Sequence, residues 1–208
     1  LSIDFIGGSV PADGGALVAA PAMAAMETAG VKPAMNWIGA ASNVGTLTNL
    51  LEADGTRNAA SVTWNSPAMG TDPGEWKNIF PDAPANARMM NGYLDPGGAP
   101  ATITVSGLRA AITAGGYDVY VYMEGYISFA GATGRICTRS ATRRSRSRKP
   151  DVAGEFPRLH AGPRRRSRQL RRLPKPAGAA FTLTATPGTG PQMKSPVNGM
   201  QIVSPTGS

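Results

Sequence analysis

The chain has little of what most active sites are made from: one cysteine, Cys137, one histidine, His160, and three tryptophans in 208 residues. A single cysteine excludes an internal disulfide framework, so an apolar core has to supply the stability, and dithiol redox chemistry has no second partner. A single histidine excludes a multi-histidine metal centre. No apolar run is long enough to cross a bilayer as a helix, and no basic, then apolar, leader opens the chain. Beginning at Leu1 without an initiator Met, the sequence reads as a processed product or an excised fragment.

The short motifs that carry catalysis are missing too. There is no His-Glu-x-x-His, no Cys-x-x-Cys, no Gly-x-Ser-x-Gly and no phosphate-cradling Gly-x-x-x-x-Gly-Lys. A Cys137/His160 nucleophile pair would lie in a basic stretch whose composition cannot hold catalytic geometry. Paired carboxylates could hydrolyse a glycoside. Most acids here, such as Asp54 and Asp95, adjoin Gly or Pro and read as turn formers. A structural calcium site would need a loop signature that the sequence lacks. The expectation is no enzyme, no cofactor and no metal.

What is present is Gly (26) and Pro (18) against only 16% charged residues, the balance of a protein made of short strands and turns. Residues 1 to 6 alternate and stop at Gly7-Gly8. Further strands are predicted at Thr46 to Leu51, Ala60 to Trp64, Arg88 to Leu94, Ala101 to Val105, Tyr117 to Met123, Phe181 to Thr186 and Met200 to Val203, with turn dipeptides such as Asp54-Gly55 and Gly115-Gly116 between them. In the best of these, Tyr117, Val119 and Val121 share one face and Asp118, Tyr120 and Tyr122 the other, the pattern of a central strand. Ala16 to Thr28 suits either a short helix after Pro21 or an ordered loop. Eight strands in one domain, 1–208, predict an all-β, two-sheet β-sandwich of jelly-roll-like type.

The charge is concentrated in one place. The formal net charge is +8, but Arg135 to Lys175 holds fifteen Lys/Arg against Asp151 and Glu155, leaving six basic and eleven acidic residues elsewhere. Composition alone makes 136–176 an irregular, disordered basic insertion. A polyanion-binding loop is the functional alternative, with Arg143, Arg144, Arg164, Arg165 and Arg166 as its contacts. The lack of interleaved aromatics argues against nucleic acid as its partner.

A third reading is a frameshift, because Arg-, Ser- and Pro-rich peptide is what GC-rich coding DNA yields out of frame. Arg168-Gln-Leu-Arg-Arg-Leu-Pro174 can be written CGC CAA CTA CGT CGT CTT CCC, which one base later reads Ala-Asn-Tyr-Val-Val-Phe. Arg139 to Arg148 can likewise be written so that two bases later it reads Ile-Gly-Asp-Ala-Thr-Val-Thr-Val-Thr. Both are strand sequences, in different frames, so more than one insertion or deletion is required. On this reading the net charge, His160 and Cys137 are artefacts.

Several stretches together resemble a repetitive β-sandwich module of large secreted bacterial surface proteins. They are Ile3-Asp-Phe-Ile-Gly-Gly8, Thr28-Ala-Gly-Val-Lys-Pro33 with Asn36-Trp37, Ser61-Val-Thr-Trp64, Arg88-Met-Met-Asn-Gly-Tyr-Leu-Asp95, Thr104-Val-Ser-Gly-Leu108 with Tyr117-Asp-Val-Tyr-Val-Tyr122, Phe181-Thr-Leu-Thr-Ala-Thr-Pro-Gly188 and Pro196-Val-Asn-Gly-Met-Gln-Ile-Val203. The resemblance covers nearly the whole chain except the basic segment, where the family carries strands similar to Tyr-Thr-Ile-Gly and Asn-Tyr-Val-Val-Phe. The chain departs from it at Ile38-Gly39, where the family tends to have Asn. It implies architecture and a secreted or cell-surface location, and no activity.

Sugar-binding sandwiches present Trp and Tyr faces beside Asn, Asp or Arg. On that pattern the ligand candidates are Asn36, Trp37 and Trp76 in loops, with Arg88 and Asp95 bracketing a strand as either ligand contacts or a structural pair; Trp64 reads as core. The expected function is a non-catalytic extracellular module, binding carbohydrate weakly or serving as a spacer, with glycans or neighbouring domains of its parent as partners.

Overall fold

A computed structural model describes residues 1–9, 18–70, 72–78, 82–124, 135–140, 143–145, 169–173, 178–187 and 195–204, with the strands between 135 and 173 given as backbone. In chain order the elements are β1 (Ser2–Phe5), β2 (Gly8–Ser9), β3 (Val18–Ala19), β4 (Ile38–Ala40), β5 (Val44–Thr48), β6 (Ser61–Asn65), β7 (Glu75–Lys77), α1 (Asn86–Met89), β8 (Gly92–Leu94), β9 (Ala101–Ser106) and α2 (Ala110–Thr113). They continue with β10 (Asp118–Met123), β11 (Arg135–Ser140), β12 (Arg143–Ser145), β13 (Gln169–Leu173), β14 (Phe181–Thr186) and β15 (Gly199–Val203). The fold is all-β, as the turn-rich composition predicts.

Two sheets form the sandwich. One has five strands in the order β13-β10-β15-β1-β4, the other six in the order β12-β11-β14-β9-β6-β5. Their facing sides meet in one apolar cluster. Ile3 and Phe5, Val119 and Val121, and Met200 and Ile202 come from the first sheet; Val62 and Trp64, Ile103 and Val105, and Phe181 and Leu183 come from the second. Period-two alternation drives this, because a strand lying on a core buries every second side chain. The β14 pattern, buried at Phe181, Leu183 and Ala185 and half-buried between, is the plainest case. The outer face of the six-stranded sheet carries hydroxyl pairs, Thr46 with Thr63 at 3.0 Å, Ser61 with Ser106 at 2.8 Å and Thr104 with Thr182 at 3.0 Å.

The outer face of the five-stranded sheet is covered instead. Tyr120 and Tyr122 pack there with Met23, Ala29, Trp37, Met89 and Met90, a second cluster supplied by the segment after Ala20 and by α1. This explains why β10 is buried along its whole length, as a central strand should be. The segment forms no helix among its described residues; it turns, bridges Ala29 to Ala34 and passes Gly30 at φ +93°, a backbone that stops a helix.

Two other expectations are corrected. Arg88 to Leu94 is not one strand: Asn86-Ala-Arg-Met, rich in helix formers, makes α1, and only Gly92–Leu94 is extended. Trp76, expected in a loop, lies in β7, paired with Tyr93 of β8.

The basic segment contributes three strands. Register places β11 against β14, with Ile136, Thr138 and Ser140 opposite the buried Ala185, Leu183 and Phe181, and Arg135, Cys137 and Arg139 opposite threonines. β13 pairs with β10 so that Leu173, Arg171 and Gln169 stand opposite Val119, Val121 and Met123, all core residues. His160 and Arg164, Arg165 and Arg166 lie outside the described residues.

Candidate functional site

The chain enters and leaves the fold side by side. β1 and β15 are antiparallel neighbours, Ser2 opposite Gln201 and Asp4 opposite Gly199, and Leu1 and Ile202 exchange backbone hydrogen bonds at 3.0 and 2.8 Å. At the other end of β1 sits the β7/β8 hairpin. Leu94 bridges Val197 there, and Asn198 holds the junction: its Nδ2 donates to the carbonyls of Met90 (3.0 Å) and Gly92 (2.8 Å), and its Oδ1 accepts from the amide of Glu124 (2.5 Å). The molecule therefore has an end where β1 begins and β15 finishes, and an opposite end built on β7 and β8.

Trp76 belongs to that opposite end. It is half-buried, and its indole N–H donates to Asp72 Oδ1 at 3.2 Å, the same oxygen that accepts from the Gly74 amide at 2.9 Å. Asp95, fully buried, follows the hairpin, and its amide donates to the Gly74 carbonyl at 2.9 Å. Met69, 55% exposed, adjoins them through its bridge to Asp72. Asp72 thus meets the Trp76 indole through its side chain and the exposed Met69 through its backbone.

The other ligand candidates are engaged in the domain's own packing. Trp37 is 5% exposed, donates to the Ala34 carbonyl at 3.0 Å and meets Tyr122 edge-to-face at 5.9 Å, so its ring face is not available for stacking. Asn36 takes a positive φ of 55° and donates to the Ala53 carbonyl at 3.1 Å. Both border a cleft of about 330 Å³ with Met23, Leu47, Asn49 and Arg57. Arg88 is clamped between Glu27 (2.8 Å) and Asp82 (2.8 Å), an ion triad that pins α1 to the covering segment. Arg88 and Asp95 are therefore not each other's partner. Trp64 is core, edge-to-face with Phe5 at 5.9 Å.

Electrostatics single out one further acid. Burial pushes Glu27 up, but the amides of Ala24 and Ala85 and the guanidinium of Arg88 outweigh it and hold the carboxyl below its ordinary range. Asp4 goes the other way: burial, with the charge of Glu27 adding to it, holds its carboxyl well above the usual value, so the neutral acid is the favoured form. It is 1% exposed, neither oxygen has a hydrogen-bond partner, and its cross-strand neighbours are Gly39 and Gly199, which leave it a slot between two positions without side chains. Sequence reasoning missed this residue, although the alternation of residues 1 to 6 already puts Ser2 and Asp4 on one face.

A larger cleft, about 630 Å³, lies at the end where β1 begins, bordered by Ser2, Lys32, Glu52, Asp54, Arg109 and Gln201. Glu52 and Arg109 pair across it at 2.6 Å. Among the described residues no three His, Cys, Asp or Glu side chains come together as metal ligands, and no helix is long and apolar enough to cross a membrane. No family model, curated protein or solved structure matches the chain.

Proposed function

We propose that the chain is a non-catalytic extracellular module, joined to a larger secreted or surface protein at the end where β1 begins and β15 finishes, and binding carbohydrate weakly at the opposite end through Trp76. The observation that carries this reading is the polarity of the sandwich. Flanking chain would attach on adjacent strands at one end, while the half-buried indole, steadied by Asp72 and next to exposed Met69, stands at the other. An aromatic face with a carboxylate beside it is what stacks on a sugar ring and accepts from its hydroxyls. With a single aromatic anchor, affinity belongs in the millimolar to high-micromolar range.

A glycan array with the full chain, followed by titration of hits, tests it: binding should be lost in Trp76→Ala and kept in Arg88→Lys. Absence of any glycan binding would leave the module a spacer, the other form of the same reading.

The same proposal takes 136–176 as an out-of-frame stretch of a module whose ancestor was acidic throughout. Register supports it: an arginine position opposite Val121 is costly in a core, whereas Asn-Tyr-Val-Val-Phe over residues 169 to 173 lays Val opposite Val121 and Phe opposite Val119. Polyanion binding is the second reading, favoured by the pairing of Arg139 with Arg144 across β11 and β12, which sets like charges opposite one another unless an anion lies between. Retention on heparin that disappears at moderate salt would support it.

A further inference from the structure

β4 is the last strand of the five-stranded sheet and β5 the last of the six-stranded sheet, and only residues 41–43 join them, so both edges lie on the same side of the sandwich. Ile38 and Leu47, one from each edge, pack on the main core yet stay only partly buried. Both border the cleft of about 330 Å³, where Met23 and Leu51 add further apolar wall. At the end of β5 the chain turns on Asn49, at a φ of 54°. Arg57 Nη1 donates to the Asn49 carbonyl at 3.2 Å, which steadies the guanidinium at the border of the cleft.

Arg57 is the one charged residue bordering this cleft among the described residues. It is exposed, and no carboxylate pairs with it there, unlike Arg88 and Arg109. Outside Arg135 to Lys175 the chain has six basic and eleven acidic residues, so Arg57 is a single positive point and not part of a basic surface. β5 itself reads Val-Gly-Thr-Leu-Thr in unbroken register with β6, with neither the Lys, the Pro nor the bulge that protects an edge. Among the described residues its outer row of backbone N–H and C=O groups has no strand partner.

A strand added to that row would set every second side chain over the half-covered Leu47 and Ile38. A guanidinium without an acid, at the end of the same path, matches a terminal carboxylate. We propose that the groove between β4 and β5 binds the carboxyl-terminal end of an extended peptide with an aliphatic last residue, laid parallel to β5, with its carboxylate on Arg57 and its last side chain in the apolar cleft. Main-chain hydrogen bonds to β5 supply affinity, the cleft selects the aliphatic residue, and the charge fixes the direction. The cleft shares no bordering residue with the β7/β8 hairpin that carries Trp76, and its occupant is independent of the glycan reading.

Calorimetric titration of the full chain with the peptide acetyl-Thr-Val-Thr-Leu, as free acid and as carboxamide, tests the proposal. The free acid should bind, and the carboxamide about tenfold more weakly, because the charge-assisted pair is lost. Arg57→Gln should weaken the free acid by a similar factor and Arg57→Lys by less, both at unchanged circular dichroism. Isocaproate, which has the carboxylate and the aliphatic end but no main chain to pair, should bind more weakly than the peptide. Hydrogen exchange of the Val44–Thr48 amides should slow in the bound chain. Equal affinity for acid and carboxamide, binding that survives Arg57→Gln, isocaproate as tight as the peptide, unchanged exchange along β5, or no binding at millimolar free acid each overturns the proposal.

Discussion

β10 has two neighbours, and they fit it very differently. On one side β15 lays Ile202 opposite Val119 and Met200 opposite Val121, four side chains at most 2% exposed, and puts Gln201 and Gly199 opposite Tyr120 and Tyr122. Both faces are satisfied, apolar toward the core and hydrogen-bonded under the covering segment. On the other side β13 offers the same backbone ladder with Gln169, Arg171 and Leu173 at the core-facing register. The contrast teaches that backbone pairing and side-chain fit are separable: a ladder needs only N–H and C=O groups, whereas a two-sided strand also needs the right residue at every second position.

The largest expected effect comes from repairing the poor neighbour. Replacing Gln169→Asn, Leu170→Tyr, Arg171→Val, Arg172→Val and Leu173→Phe together should stabilise the chain by on the order of 3 kcal/mol, because a charged residue at a core-facing register position gives way to apolar volume. Urea denaturation followed by tryptophan fluorescence measures it. A midpoint that does not move, or moves down, would mean that β13 does not supply this face of the core. Reading the source DNA across the codons for residues 134 to 178 checks the frame itself.

Damaging the good neighbour should cost somewhat less. Asn198, just before β15, makes three hydrogen bonds with the backbone while fully buried, and Asn198→Ala leaves two carbonyls and one amide without it. We expect a loss of about 2 kcal/mol, since orphaned buried groups cost more than a surface bond returns. Asn198→Asp is the control, because it keeps the acceptor for Glu124 but not the donors. An Asn198→Ala chain as stable as the wild type would show that the β8–β15 junction is held by packing alone.

The difference between the two neighbours also marks where the sequence could be read. β10 and β14 were legible because alternation over six residues leaves one solution, and the eight strands predicted from such runs all correspond to strands, apart from the helical first half of Arg88 to Leu94. β4 and β7 were not, being three residues each, Ile38-Gly39-Ala40 and Glu75-Trp76-Lys77, too short for a period to register. β11 and β13 were hidden because arginine masks whatever alternation their positions require. Of the site, Trp76 was singled out but placed in a loop. Trp37, Asn36 and Arg88 were chosen for chemistry that suits a ligand equally well as a neighbour, and only the long-range contacts with Tyr122, Ala53 and Glu27 decide which. Asp4 could not be found from spacing, since the two glycines that flank it, Gly39 and Gly199, come from β4 and β15, far along the chain.

The smallest and sharpest test concerns the side of β1 that faces away from the core. Asp4 is held neutral by burial in the folded chain, whereas in the unfolded chain it titrates as an ordinary aspartate near about 3.9. Below that value both states carry the proton and Asp4 adds no pH dependence. Above it the unfolded chain releases the proton and the folded chain keeps it, so stability falls as pH rises toward the folded value. Asp4→Asn keeps the shape and cannot ionise; it should flatten this decline and leave the protein more stable than its parent at neutral pH. Equal slopes for parent and variant between pH 4 and 7 would mean that Asp4 finds a partner when it ionises, and the glycine-flanked slot would then have to hold a water or a cation.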